Sequence, residues 1–290
     1  DHQDLHSFPT RRSSDLFLLT AVFGASGKGD SALARIFLAL GLFLVVLVLF
    51  PLIIMVMSEQ LANIEPVLRD PDIRAAIGVT LLTATISTVI LIIFVVPLSY
   101  AISRLEFPGR SLLLSLIDLP VVIPQSVAGI ALIVTLGRNQ FIGAGIERII
   151  GMPVDNTILG VIAAQVFVSL PFIAKSAIAA FDSVPTEYED VALTLRSGRF
   201  GAFRRVALPL ASRGVMLGAI LAWARAAGEF GAVFVLAQHP ATAPVIAYQR
   251  FVGVGSAEAL PIAIVLVLMS MVLFFILQAS VRLLPKLSGE

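Results

Sequence analysis

The chain has 290 residues, 58% hydrophobic and 13% charged, with a formal net charge of +1 and a mean hydropathy of +0.98. About 25% charge is usual for a soluble domain, so a water-facing globule is excluded, as are disorder, which needs low hydrophobicity and high charge, and an electrostatic case for nucleic acid. Cysteine is absent, which removes disulfides, iron–sulfur clusters, thiolate zinc sites and cysteine nucleophiles and leaves a polytopic membrane protein.

Asp1 to Leu16 (DHQDLHSFPTRRSSDL) is polar and stops abruptly at an apolar run. A cleavable signal peptide has an apolar middle, and this stretch has none. From His6 onward it resembles one reading frame of a sequencing-library adapter. Residues 1–16 are therefore expected to be a non-native artefact, and His2, His6, Arg11 and Arg12 are given no role. Residues 17–35 read as a cytoplasmic N-terminal segment; Phe17 to Phe23 is too short to span a bilayer.

About 20 apolar residues are needed for a helix to cross the hydrocarbon core. Six stretches qualify: about Ile36 to Met57, Ile77 to Tyr100, Leu112 to Leu136, Ile158 to Phe181, Gly214 to Leu236 and Ala259 to Leu283. Pro171 is expected to kink the fourth. Pro120 and Pro124 are expected to break the third near its start. Such breaks survive in a membrane only where protein or a water-lined cavity satisfies the freed backbone groups. Pro120, Pro124, Gln125 and Ser126 are accordingly candidate pathway or gate residues. Basic residues set the orientation. Lys28, Arg35, Arg104, Arg110, Lys175, Arg196, Arg199, Arg204, Arg205, Arg213, Arg282 and Lys286 fall on one side; Arg69, Arg74, Arg138, Arg148 and Arg250 fall on the other. Both termini are thus expected in the cytoplasm. No convincing inverted repeat is present, which weakens a secondary-transporter reading.

The loop between the fourth and fifth spans, Phe181 to Gly214, is rich in signals. Thr186 after Pro185, with Glu189 three residues on, has capping-box spacing; Thr186 is expected to cap a helix, with Glu189 reaching back. Tyr188, Val191 and Leu195 then share an apolar stripe. Gly198 and Gly201 interrupt it, Arg199, Arg204 and Arg205 follow, and Leu208-Pro209 closes the segment. The result is two short amphipathic helices. Their stripe could lie on lipid headgroups or in a partner's groove.

Away from the span ends, the intramembrane ionisable residues are Asp118, Arg225 and Glu229. Such residues usually face the bundle interior or a pathway. Arg225 and Glu229 are four apart, on one helix face near the middle of the fifth span; they form either a self-neutralising structural pair or a pair beside the translocation path. Asp118 is expected to cap the Pro120 break. Gly24 to Ser31 fails as a phosphate loop, because Val22 stands at the first glycine position and Gly29 where serine or threonine is needed. ATP hydrolysis by this chain is therefore not expected. No span holds a histidine base for a serine protease, and Asp118 has no aspartate partner in another span. His239, alone just outside the fifth span, reads as a surface residue. No catalytic or metal-ligating residue is assigned.

Glu189-Asp190-Val191-Ala192, Leu195, Phe203-Arg204-Arg205-Val206 and Leu208-Pro209 resemble the coupling-loop signature of ABC importer permeases. That signature begins Glu-Ala-Ala, has a glycine six residues later and closes near Leu-Pro. Here Asp190-Val191-Ala192 stands for Glu-Ala-Ala, and Arg196 takes the glycine position with Gly198 two residues on, so the turn between the coupling helices is expected to differ locally. Val96 to Leu132 is similar to the molybdate/tungstate branch of these permeases in Pro97-Leu98-x-Tyr100, Phe107-Pro108-Gly109-Arg110, Asp118-Leu119-Pro120, Ile123-Pro124 and Ser126-Val127-Ala128-Gly129. Ala222 to Phe251 is similar to archaeal-type tungstate/molybdate permeases. The resemblance covers roughly Thr80 to Leu277; Gln125 departs from it, since proline or histidine is common there.

The resemblance implies an all-α membrane protein with the type I ABC importer permease fold, six transmembrane helices and both termini cytoplasmic. The first transmembrane helix would be residues 36–57, and the type-1 transmembrane domain residues 76–283, with a coupling loop at 182–210. The implied coupling residues are Glu187, Glu189, Asp190, Val191, Ala192, Leu195, Arg196, Gly198, Phe203, Leu208 and Pro209. Two copies would form one pathway in the cell membrane, carrying molybdate or tungstate by alternating access. Two separate ATPase subunits would hold ATP and magnesium, and an extracytoplasmic oxyanion-binding protein would deliver the cargo. The chain itself would bind no cofactor. A sulfate/thiosulfate permease is the nearest alternative, and an ATP-independent secondary transporter or channel is the alternative from another class.

Overall fold

The computed structural model describes residues 30–58 and 64–282. Residues 1–16, and most of residues 17–35, lie outside the described residues. The chain divides into two units, residues 1–59 and 60–290. In the first, α1 (Asp30–Met57) is a 28-residue helix. It is apolar all round and exposed within its own unit, as expected of a helix that needs lipid or protein on every side.

The second unit contains α2 (Ile64–Arg69), α3 (Pro71–Arg104), α4 (Arg110–Val122), α5 (Gln125–Leu136), α6 (Phe141–Ile150) and α7 (Ile158–Asp182). It continues with α8 (Glu187–Thr194), α9 (Gly198–Ala202), α10 (Leu208–Ala227), α11 (Gly231–Leu236), α12 (Ala243–Gly253) and α13 (Ser256–Arg282). A π-helical turn, Phe203–Ala207, joins α9 to α10. The described residues contain no strand. Five helices are long and apolar enough to cross a membrane: α1, α3, α7, the stretch Gly198–Ala227 and α13; α4 and α5, bent by 110° at their junction, form a sixth if taken as one broken span.

Helix α7 is the centre of the second unit, packed mainly on α3 and α10 and also on α4. Small residues allow this. Gly214 and Gly218 on α10 face Ala180 and Ser176 on α7, so closely that a Cβ on Gly218 would lie 2.6 Å from the Ser176 Cβ. The Ser176 hydroxyl donates to the Gly214 carbonyl at 2.8 Å. Small residues four apart on each helix are the usual means of close approach where lipid supplies no hydrophobic drive. Leu91, Ile102, Ile173, Phe181 and Ala211 fill the core toward the α8–α9 loop. Val161, Ala164, Val233 and Leu236 fill it toward α11. At the start of α3, Asp70 caps the helix by accepting from the Asp72 amide at 2.8 Å, and Pro71 occupies the first turn.

Two spans differ from expectation. Pro120 does not break the third: α4 runs through it to Val122. The break is at Ile123–Pro124, in the middle of the span. Ile123 is extended (φ −72°, ψ 130°), the conformation favoured before proline, and Pro124 (φ −54°, ψ 135°) leads into α5. Helix α7, which contains Pro171, is a single unbroken helix and does not differ in extent from the expected fourth span. The fifth span is displaced toward the loop. It ends at Ala227 with Gly228 at the cap, rather than running from 214 to 236. Beyond it the Glu229 carboxylate accepts from the Ala232 amide at 2.7 Å, so the chain starts a new short helix instead of extending the old one. Leu208-Pro209 opens α10; it does not close a separate loop helix.

Candidate functional site

The loop after α7 is held from inside by charge. Thr186 sits at the start of α8, but its side chain makes no capping bond, so the expected capping box is not formed. Its carbonyl accepts from the Glu189 and Asp190 amides at 2.9 and 3.0 Å. Glu189, only 7% exposed, turns toward the end of α3. There it accepts from Arg104 Nε at 2.7 Å and from the Tyr100 hydroxyl. Arg104 Nη2 also donates to the Val184 carbonyl at 2.9 Å. A charge-assisted bond is roughly twice as strong as a neutral one, which explains why Glu189 leaves its own helix end unsatisfied. Beside this tie the ring of Phe203 packs on Tyr100, centroids 4.8 Å apart, and Tyr100 packs on Phe181 at 5.4 Å. Phe203 is therefore an inward anchor, and so is part of Leu208.

The outward side of the loop carries the apolar stripe. Tyr188, Val191, Leu195 and Phe200 are 56%, 59%, 77% and 73% exposed. Ala192 lies half-buried among them, while Glu187, Asp190 and Pro209 are exposed. Phe200 was not singled out by the sequence, because Gly198 and Gly201 mask its register with α8.

Between α8 and α9 the chain makes a complete Schellman turn. The Ser197 amide donates to the Ala192 carbonyl and the Arg196 amide to the Leu193 carbonyl, both at 3.0 Å. Arg196 has φ +62° and Gly198 φ +65°. The position where the family signature carries glycine thus keeps a left-handed backbone here, although its residue has a Cβ.

A second cluster lies where α10 ends. Arg225 Nη2 is 2.6 Å from Glu229 Oε2, and the Glu229 side chain is fully buried. Arg225 stands in the last turn of α10 and Glu229 just past its cap, so the pair marks the end of the fifth span and not its middle. Gln165 on α7, which sequence reasoning missed, is 0% exposed. Its Nε2 donates to the Ala226 carbonyl at 3.1 Å, and its Oε1 accepts from the Ser87 hydroxyl at 3.1 Å. It joins α3 and α7 to the end of α10. A lone amide inside an apolar span was the available signal. Gly231 lies against Gln125, where a Cβ would be 2.7 Å from the Gln125 Cβ. The break in the third span therefore meets the turn after the fifth. Pro124, Gln125 and Ser126 are exposed there, while Pro120 is half-buried one turn earlier.

Asp118 does not cap a break at Pro120. It pairs with Lys175 of α7, Nζ to Oδ1 at 3.0 Å, because α4 continues as helix past Pro120 and needs no cap there. His239 is exposed. Among the described residues no group of three His, Asp or Glu side chains could hold a metal ion.

Residues 94–287 match the family described as the binding-protein-dependent transport system inner membrane component. The chain belongs to this family. It is a multi-pass membrane protein. It is 40% identical over 249 residues to the molybdate/tungstate transport system permease protein WtpB of Pyrococcus furiosus, covering 85% of this chain and 94% of that protein. It is 37% identical over 246 residues to the protein of the same description from Thermococcus kodakarensis, covering 84% and 94%. Among solved structures, a bacterial ABC transporter involved in import of the acidic polysaccharide alginate superposes with a TM-score of 0.69 at 15% identity, covering 94% of this chain and all of that one. At that identity the likeness is one of fold.

Proposed function

We propose that this chain is the permease subunit of an ABC importer for molybdate or tungstate, and that two copies enclose one pathway. The observation that carries the reading is the two-faced loop: an apolar stripe at Tyr188, Val191, Leu195 and Phe200 faces outward, while Glu189 fixes the inner face to Arg104. A helix on headgroups is held by basic residues. Helix α8 has Glu187, Glu189 and Asp190 in its first turn and no basic residue, so an anionic membrane surface repels it. A groove in a separate ATPase subunit fits better. That subunit holds ATP and magnesium; this chain contributes no hydrolytic residue.

Coupling then has a defined route. Movement of α8 by the ATPases pulls α3 through the Glu189–Arg104 pair. Movement of α9 passes through the π turn into α10, whose far end carries Arg225. There the fifth span abuts the Gln125 end of the broken third span, where the pathway changes between inward- and outward-facing states. The twelve-to-five distribution of basic residues supports placing the loop in the cytoplasm. An extracytoplasmic binding protein delivers the oxyanion. The cargo assignment is supported by the relatives named above; sulfate is the competing tetrahedral dianion.

The test is reconstitution of the chain with its ATPase and binding protein in proteoliposomes. ATP-dependent uptake of labelled molybdate, blocked by tungstate and weakly by sulfate, is expected. Preferred sulfate uptake would assign the sulfate branch, and uptake without the ATPase would overturn the importer reading.

A further inference from the structure

Helix α7 is covered by its neighbours along almost its whole length. Its exposed residues are Lys175, Ala179 and Asp182. At spacing i, i+4 and i+7 they form one stripe that runs from inside the span to the loop end. Opposite its inner end stands Asp118 of α4, paired with Lys175 at 3.0 Å, with the two side chains 40% and 63% exposed. The other intramembrane pair, Arg225 and Glu229, is 22% and 0% exposed, so the two pairs live in different surroundings.

The stripe has the wrong chemistry for lipid. Where the bundle exposes bulky apolar side chains, as at Ile93 and Phe94 of α3, 59% and 70% exposed, a hydrocarbon contact is natural. Lys175 lies seven residues from the end of α7, ~10 Å into the helix, and Asp118 eight residues from the start of α4, ~12 Å in, at 1.5 Å per residue. A lysine at that depth can snorkel to the interface; an aspartate is too short to do so. A charged pair exposed inside a span faces a water-filled space or a protein surface rather than lipid. Ala179 leaves room along the stripe, and α4 reaches its non-helical break at Ile123–Pro124 about one turn beyond Asp118. That break has the same requirement for water or protein around it.

We propose that Lys175, Ala179 and Asp182 line an aqueous slot leading to the loop end of the pathway, and that the Lys175–Asp118 pair is the charged gate at its inner end. A divalent oxyanion entering the slot replaces Asp118 as the partner of the Lys175 ammonium. When the anion leaves, Asp118 takes the ammonium back and neutralises the gate. This rests on the oxyanion-importer reading for the cargo, but the existence of the slot does not depend on which anion passes.

The absence of cysteine from this chain makes the slot directly measurable. Ala179→Cys, which removes no charge, and Lys175→Cys/Asp118→Asn, which strands none, are placed in the full reconstituted complex. Each is exposed to a membrane-impermeant anionic thiosulfonate, and modification is read from the mass of this chain. Such reagents react with thiolates in water, so both variants are expected to be modified, with molybdate slowing the reaction in Ala179→Cys, where the Lys175 ammonium is still present one turn away, and not in the variant that has lost it. Phe94→Cys is expected to stay unmodified. Failure to modify either slot variant, with and without ATP, overturns the proposal. In uptake assays Lys175→Met is expected to lose about tenfold or more, since it removes the ammonium that takes the oxyanion in a charge-assisted hydrogen bond, and Lys175→Arg to retain most transport; equal loss in both overturns the ammonium's role. Modification of the slot in a complex whose wild type takes up no molybdate would refute the cargo and leave the slot standing.

Discussion

Glu189 and Arg104 meet at 2.7 Å across 85 residues of chain, with side chains only 9% and 13% exposed. This single contact binds the loop helix α8 to the end of α3, and it decides which side of α8 is available to a partner.

Breaking a buried pair from one side is costly, about 3–5 kcal/mol, because it leaves an uncompensated charge. Glu189→Ala and Arg104→Met are each expected to lower the unfolding temperature of the detergent-solubilised protein. The double variant is expected to lose less than the sum of the two. Thermal unfolding of the three proteins checks this; additive losses would mean that the two side chains act independently.

Arg196 keeps a left-handed backbone, which costs a residue with a Cβ ~1–2 kcal/mol. Arg196→Gly is expected to stabilise the loop by ~0.5–1 kcal/mol after the larger chain entropy of glycine is counted. Arg196→Val is expected to destabilise it. Hydrogen exchange at the Ser197 amide, which closes the Schellman turn, reports the difference locally.

The α7–α10 crossing depends on having no side chain at Gly218. Gly218→Val is expected to destabilise by about 1–3 kcal/mol or more, as overpacking does. Gly145→Ala is the matched control, because a Cβ there meets nothing within 4 Å and α6 gains helix propensity. Unfolding temperatures in opposite directions are the expected result.

Arg225 and Glu229 differ from a mid-span pair in their expected response. Glu229 both pairs with Arg225 and accepts from the Ala232 amide in the first turn of α11. Glu229→Gln keeps an oxygen for the Ala232 amide but strands the arginine; Arg225→Met strands a fully buried carboxylate. Both are expected to impair uptake, Arg225→Met more severely. The double variant is expected to recover folding, measured by yield and size-exclusion profile. Wild-type uptake by both single variants would show that the pair has no part in transport.

Four of the expected stretches fall on α1, α3, α7 and α13, each long and apolar enough to cross a membrane, because about 20 apolar residues in a row have few other uses. The sequence also placed the outward stripe at Tyr188, Val191 and Leu195 correctly from helical spacing. Local rules failed where a distant charge competed. Glu189 has capping-box spacing, but Arg104 offers it a full positive charge. Asp118 sits beside a proline, but Lys175 offers the same. Neither arginine nor lysine is near in sequence, so neither preference was legible. The fifth span was misplaced because apolar residues continue past Gly228, and only the folded chain shows Glu229 starting a new helix. Gln165 was overlooked because a single amide carries no spacing.

If the ATPase subunit docks on the outward face of α8, Ala192→Asp disrupts that contact. Ala192 is half-buried beside the stripe, so the new carboxylate enters the contact. Burying an unpaired charge costs several kcal/mol. The measurement is the amount of ATPase subunit that co-purifies with the membrane-inserted variant. Loss of the ATPase from an otherwise folded chain is the expected result; full co-purification together with normal ATP-dependent molybdate uptake would show that the ATPase docks elsewhere.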